Sequence, residues 1–310
     1  MILVRAVARR LATAAVVLWA AATAAYLALL LAPGDTVDNI IGDGPDTPVI
    51  RAQIIAEWRL DRPEVVQYLD YLRRALLGDL GRSYLLQRPV GDVLGEHLPA
   101  TVTLAVAAAL IGVVLALVVA LLTAGRRPLL RRGASAGELV LVSTPGFLIG
   151  IVLLNVFSFQ LGWFPVAGGQ SVAALVLPAV TLALPIAGVL AQVLRDGLER
   201  ALEEPFVVTA RSRGIRERAV VARHALRHAL LPAITLVGWL SGILLGGTVI
   251  TEQVFGRPGL GQVTLQAVTA GDMPVVLAVV LLSAAVYVAV STLADLSYLL
   301  VDPRLRRSGT

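Results

Sequence analysis

Six apolar stretches recur along the chain, at residues 11–31, 100–123, 139–161, 173–194, 233–251 and 274–300, separated by polar or charged connections. At ~1.5 Å of rise per residue, runs of this length cover the ~30 Å hydrocarbon core of a bilayer. The pattern predicts an all-α integral membrane protein with about six spans. The first run follows arginines and is rich in alanine, as a signal peptide would be. It exceeds the roughly 7 to 15 residues of a signal-peptide core, and an uncleaved first span is expected. Residues 32–99 are different in kind. A turn-rich acidic stretch at 33–48 gives way to a helix-like part at 49–77, with Trp58, Leu60, Val65, Val66, Tyr68, Leu69 and Leu72 as apolar anchors. A modest extramembrane domain over the mouth of the spans is expected, and a substrate or partner contact and a solvated connector without a binding role both fit it.

Arginine placement sets the direction of insertion. Arg5, Arg9 and Arg10 precede the first run; Arg126, Arg127, Arg131 and Arg132 crowd the second connection. The connection after the fourth run carries Arg200, Arg211, Arg213, Arg216, Arg218, Arg223 and Arg227, and the tail has Arg304, Arg306 and Arg307. The short connections between these are poor in arginine: residues 162–172 have none, and residues 252–273 have only Arg257. Both termini are therefore expected in the cytoplasm, and residues 32–99 outside, where the loop is long enough to escape the charge rule despite its seven arginines.

Composition narrows the chemistry. With 57% hydrophobic and 15% charged residues and a mean hydropathy of +0.81, the chain is far from a soluble balance. The net charge of +5 lies beside the apolar runs rather than in one basic domain, so orientation in a bilayer accounts for it; membrane lipid is the expected partner and nucleic acid is not. All 26 basic residues are arginine. With no cysteine there is no disulfide framework and no thiolate chemistry. No G-x-x-x-x-G-K-[ST] phosphate loop occurs, so nucleotide is not expected to bind in that way. His97, His224 and His228 lack a third ligand at metal-binding spacing, and no metal site is expected.

The most informative segment is residues 203–232, a basic amphipathic stretch lodged between the fourth and fifth runs. Glu203 and Glu204 ahead of Pro205 suit a helix start, and Gly214 suits its end. A second helix is expected from about Glu217, with Ala219, Ala222, Ala225, Leu226 and Ala229 on one face and Arg216, Arg223, His224 and Arg227 on another. A helix riding on anionic lipid needs no such glycine break. A handle gripped by a separate cytoplasmic motor does.

These residues carry a resemblance. Val208, Thr209, Ala210, three further residues and Gly214 look like the coupling loop of the membrane subunits of bacterial ABC importers. The chain departs from the general pattern, which has a glutamate at the position of Val208 and an earlier proline than Pro232. The wording TARSRGIRERAVVARHALRHALLP is instead similar to the dipeptide and oligopeptide permease branch. LDRPEVVQYLDYLRRALLGDLGRSY at 60–84, LPATVTLA at 98–105, EQVFGRPGLGQ at 252–262 and LVDPRLR at 300–306 resemble the same branch in the same order.

The resemblance implies a type I ABC importer permease fold: residues 1–31 as cytoplasmic N-terminus and first span, 32–99 as extracytoplasmic loop domain, 100–300 as a five-helix core that includes the coupling segment 203–232, and 301–310 as cytoplasmic tail. It implies a bacterial inner-membrane subunit that is not itself an enzyme and imports dipeptides or oligopeptides. Its partners would be a second homologous permease, cytoplasmic ATPases that bind ATP and Mg, and an extracytoplasmic solute-binding protein; no cofactor is expected in this chain. Pro205, Val208, Thr209, Ala210, Arg211, Arg213 and Gly214 would meet the motor. Relatives of this branch that import nickel chelates, glutathione or other solutes leave the cargo open.

Asn155, Gln160 and Gln192 are polar positions within the apolar runs and candidates for the pathway lining, with helix-to-helix hydrogen bonding as the competing role. Pro178 and Pro185 are seven apart, hence on one face, and would kink the fourth span. Asp295 lies close enough to the cytoplasmic end of the last run to be solvated there. A gradient-driven carrier would show inverted repeats or paired ionisable groups at mid-membrane, and a membrane-embedded enzyme a catalytic constellation on adjacent spans. Neither is evident.

Overall fold

The structure, a computed structural model, describes residues 2–31, 35–42, 44–125, 128–168 and 171–301, and the side chains of 2–8, 218, 237, 238 and 295–301 lie outside that description. Arg5, Arg126, Arg127, Arg218, Asp295, Arg304, Arg306 and Arg307, and with them the tail 302–310, fall outside the described residues or side chains.

Thirteen helices account for most of the described residues: α1 (Ile2–Leu30), α2 (Thr36–Ile41), α3 (Pro48–Trp58), α4 (Glu64–Leu76), α5 (Val90–Thr123), α6 (Pro128–Ser143), α7 (Gly146–Leu153), α8 (Val172–Leu202), α9 (Pro205–Ser212), α10 (Glu217–Ala219), α11 (Leu226–Val254), α12 (Leu260–Thr269) and α13 (Met273–Val301). Wider π turns continue α7 over Leu154–Gln160 and α10 over Val220–Ala225. Four helices are long and apolar enough to cross a membrane unbroken, at Arg9–Leu30, Val90–Thr123, Val172–Leu202 and Met273–Ala294.

Two of the six expected spans are bent pairs. Pro128–Ser143 and Gly146–Gln160 meet at 103°, and Val220–Leu236 and Trp239–Val254 at 54°. Residues 139–161 are therefore not one straight span. Pro145, extended at ψ 134°, has no N–H to continue the helical ladder and disfavours the helical region for Thr144 before it. α8, by contrast, runs through Pro178 and Pro185 as one helix.

The chain divides into two compact units. The first comprises Met1–Pro99 and Pro258–Val288. Its helix starts follow from capping side chains: Asp35 accepts from the Val37 N–H at 3.0 Å and Thr47 from the Ile50 N–H at 3.3 Å, with Pro48 in the first turn. Arg51 ties α3 back to Asp35, Asp38 and Asp46. α4 lies against α1 through Tyr26, Tyr68 and Tyr71, and Tyr26 donates to the Glu64 carbonyl at 2.9 Å. Tyr68 and Leu72 face inward, whereas the expected anchors Val65, Val66 and Leu69 are turned out to solvent.

Beyond α4, Asp272 fixes the next loop. Its buried carboxylate accepts from the Ser83 hydroxyl at 2.5 Å and from the Tyr84 and Leu85 N–H groups at 3.1 and 3.2 Å. Together with burial, this charge pushes the Tyr84 phenol up to about 12. The connection at 252–273 holds a helix of its own, α12, whose Val263 and Ala267 pack on Val90 and Val93 of α5 and Val275 of α13. α5 begins ten residues before the expected start at 100, so Pro99 lies inside a helix rather than ahead of one.

The second unit comprises Ala100–Arg257 and Ala289–Thr310. α8 is its axis, packed against α6, α7 and α11. The core is built from small residues, with Ala116, Ala120, Ala191, Ala225 and Ala229 fully or almost fully buried beside Leu194 and Leu198. Gly197 lets α8 and α11 approach, since a Cβ there would lie 2.9 Å from the Ala229 Cα.

Candidate functional site: a helical elbow

Residues 205–219 form an elbow between α8 and α11. Glu204 is extended at ψ 148°, and Pro205 opens α9, where its missing N–H has no partner to lose. The helix ends in a Schellman closure: the Gly214 N–H donates to the Arg211 carbonyl at 2.9 Å and the Ile215 N–H to the Ala210 carbonyl at 3.2 Å. Gly214 takes φ +76°, open to glycine at little cost. Glu217 then starts α10, so the two-helix reading of this segment matches the observed backbone.

The elbow has an inside and an outside. Val207, Ala210 and Val220 are buried together, flanked by Leu202, Phe206 and Ile215. Pro205, Val208, Thr209, Arg211, Arg213 and Gly214 are exposed, Val208 at 65%. Of the seven positions expected to meet the motor, Ala210 alone is turned inward, so its place is to hold the elbow's shape. Across the outside, Arg211 grips Glu217 with two parallel bonds of 3.0 and 2.7 Å. The fork raises the Arg211 guanidinium above its ordinary value and lowers the Glu217 carboxyl below its own.

The π turn after α10 shifts the helical register. Val220, Ala225 and Ala229 are buried, while Ala222, expected on the packing face, is exposed. The wider turn inserts a residue that a 3.6-residue period does not anticipate. Arg216, Arg223 and Arg227 are exposed as expected. His228 stacks on Phe206 with ring centres 5.0 Å apart. Among the described residues no group of three His, Asp or Glu side chains is placed to hold a metal ion.

What the elbow is mounted on decides what it can move. α8 enters it and α11 leaves it, and the two share one core with Gly197 against Ala229. Seven residues before the end of α8, Arg195 forms a doubly bonded pair with Glu138 of α6, both contacts 2.6 Å and both side chains nearly inaccessible. Sequence reasoning did not single out this pair; two charges at the edges of apolar runs were the available signal. The elbow is thus continuous with α8 and α11, and α8 is tied to α6 through this pair.

The polar candidates in the spans take other places. The Gln160 amide donates to Asn155 Oδ1 at 2.8 Å within the same π turn, and Gln192 is half-buried on α8. None of the three lines the apolar groove of about 440 Å³ in this unit, whose walls include Pro145, Phe147, Thr181, Pro185, Trp239 and Gly247.

Residues 112–307, which contain the elbow and both helices that carry it, match the family of binding-protein-dependent transport system inner membrane components. The chain belongs to this family. It is a permease subunit of an ABC importer and a component of the inner membrane. Among similar proteins, a peptide transport system permease protein of Brucella abortus (strain 2308) is 37% identical over 310 residues, covering 96% of this chain and 98% of that protein. A peptide transport system permease protein of Brucella suis biovar 1 is 37% identical over 309 residues, at 96% and 97% coverage. The glutathione transport system permease protein GsiC of Salmonella choleraesuis is 33% identical over 284 residues, at 91% and 92%. An ABC permease works with ATPase and binding-protein partners. The elbow is exposed and lies within the matched region.

Proposed function

We propose that this permease carries peptides into the cell and that the elbow is where a cytoplasmic ATPase grips it. Support for the cargo comes from the relatives named for peptide transport, which align over 96% of the chain at 37% identity, against 33% for the glutathione permease. Support for the grip comes from the elbow's geometry: exposed Val208, Thr209 and Arg213 outside, Val207 and Ala210 packed inside, and a direct mount on α8 and α11.

In this reading both termini are cytoplasmic and residues 32–99 are extracytoplasmic. A second homologous permease completes the pathway, and an extracytoplasmic solute-binding protein delivers the cargo. The chain performs no covalent chemistry and holds no cofactor; ATP and Mg are bound by the ATPases. Their closure pushes the elbow, and the shared core of α8 and α11 turns that push into a rigid displacement of the pathway wall. The groove beside Pro185 and Trp239, rather than Asn155, Gln160 or Gln192, is the surface that this displacement reshapes.

The test is affinity purification from gently solubilised membranes of the native chain and of Val208→Asp with Thr209→Arg, two exposed changes that leave the elbow core intact. The expected result is loss of the ATPases from the variant with the second permease retained, and ATP-dependent uptake of a labelled dipeptide by native proteoliposomes in preference to glutathione or a nickel chelate. ATPases retained by the variant would remove the docking role. Uptake driven by an ion gradient without ATP would remove the motor altogether.

A further inference from the structure

The first unit contains a cleft that the coupling role does not use. Its volume is about 630 Å³, the scale of a small-molecule or headgroup site. Its walls come from the end of α3, α4 and the loop beyond it, and its floor from Tyr26 of α1 with Met273, Pro274 and Leu277 of α13. Five arginines line it against two carboxylates. Arg62 alone among the five is ion-paired, to Asp70 at 2.8 Å; Arg74 and Arg82 donate to backbone carbonyls, and Arg59 and Arg73 form no ion pair among the described residues. Tyr71 also lines the cleft. It is 6% exposed and its hydroxyl has no hydrogen-bond partner among the described residues, an arrangement that costs free energy unless something polar enters.

A soluble anion would account for the arginines and for Tyr71, but not for the outer face of α4. Val65, Leu69, Arg73 and Leu76 follow one another at helical spacing along that face, and its three apolar members are 68%, 57% and 89% exposed. Leu77, which continues it, borders the cleft itself and is 78% exposed. Apolar side chains alternating with unpaired arginine, beside Trp58 and Tyr84 in edge contact at 4.7 Å, have the composition of a membrane interface. The floor lies where a membrane surface is expected, at the last turns of α1 and the first turn of α13, and α1 is the least buried of the four unbroken candidate spans.

We propose that this cleft holds the headgroup of an anionic phospholipid, its phosphate against Arg59, Arg73 and Arg82 and its acyl chains along the apolar face of α4. Guanidinium groups suit phosphate through paired donors, and the Tyr71 hydroxyl supplies a further one. That the lipid belongs to the outer leaflet rests on the topology proposed above. The binding itself does not, because solubilised protein exposes both sides.

The experiment titrates the full-length chain, purified with its partners in zwitterionic detergent, with short-chain phosphatidylglycerol, phosphatidylcholine of equal chain length, and inorganic phosphate. Binding is read by the emission of Trp58 in the cleft and by native mass spectrometry. Phosphatidylglycerol is expected to saturate the signal, with phosphatidylcholine at least tenfold weaker and inorganic phosphate at least a hundredfold weaker. Arg59→Gln with Arg73→Gln should weaken phosphatidylglycerol at least tenfold and Tyr71→Phe a few-fold. Arg88→Gln, outside the cleft and paired with Glu96, should leave it unchanged. Exposed Arg73→Gln alone carries the test should the double variant fail to assemble. Equal binding of the two lipids, or indifference to the arginine changes, would overturn the proposal; inorganic phosphate matching phosphatidylglycerol would replace the lipid with a soluble anion.

Discussion

Two arginine–glutamate forks in the second unit use the same bidentate chemistry to different ends. Arg195 and Glu138 meet in the interior, with side chains 4% and 6% exposed, and join α8 to α6. Arg211 and Glu217 meet on the elbow's outer surface, with side chains 47% and 57% exposed, and span a single turn of chain. Water competes for every bond of the outer fork and screens its charges, so it sets the elbow's shape without contributing much to stability. The inner fork is nearly closed to water. Removing one partner there strands a charge in a low-dielectric site, although the intact pair need not exceed the value of a well-packed apolar replacement.

That contrast can be broken at its strong end first. Glu138→Leu leaves Arg195 buried and unpaired and should cost about 3–5 kcal/mol, seen as a large drop in the thermal unfolding temperature of the purified subunit in detergent. Glu138→Leu combined with Arg195→Met should recover most of that loss; a double variant as unstable as the single one would mean that packing, not stranded charge, sets the cost. Val207→Ala, which removes two methyl groups from the elbow's fully buried core, is expected to cost about 2 kcal/mol and to weaken ATPase stimulation by cargo. Gly214→Ala places a side chain at φ +76°, at roughly 1–2 kcal/mol, with the elbow's protection from hydrogen exchange falling before that of α8. Val208→Glu, on the exposed face, should stay within about 0.5 kcal/mol of the native stability. Any change it makes should appear in ATPase affinity alone.

The outer fork gives the smallest effect, and its dependence on pH has a definite sign. The Glu217 carboxyl is lowered in the folded chain, so the fork is fully formed above the ordinary glutamate range and is lost as pH falls through the lowered value. Glu217→Gln should leave the unfolding temperature unchanged while making ATPase docking insensitive to acid in that window. An equal acid response in both proteins would place the sensitivity in the partner.

Much of the elbow was legible in the sequence because its signals are local. Pro205 after two glutamates, Gly214 and Glu217 each act within a turn of their own position, and the observed helices begin and end at them. Asn155 and Gln160 were legible as polar residues in an apolar run, but their pairing with each other was not, because a π turn changes which residues are neighbours. Likewise α4 reads as one amphipathic helix, yet Val65 and Leu69 face outward because Tyr68 and Tyr71 take the contact with α1.

The sequence by itself determined an all-helical chain for a membrane, the elbow's two helices and the family it belongs to, since hydropathy, capping and glycine geometry are properties of short stretches. Only the tertiary structure decided that residues 139–161 bend at Pro145, that Ala210 is core rather than contact, that Arg195 finds Glu138, and that arginines from the α3–α4 connection, α4 and the loop beyond share one cleft. Those outcomes depend on residues distant in the chain competing for the same buried volume and the same few polar partners, which no local pattern encodes.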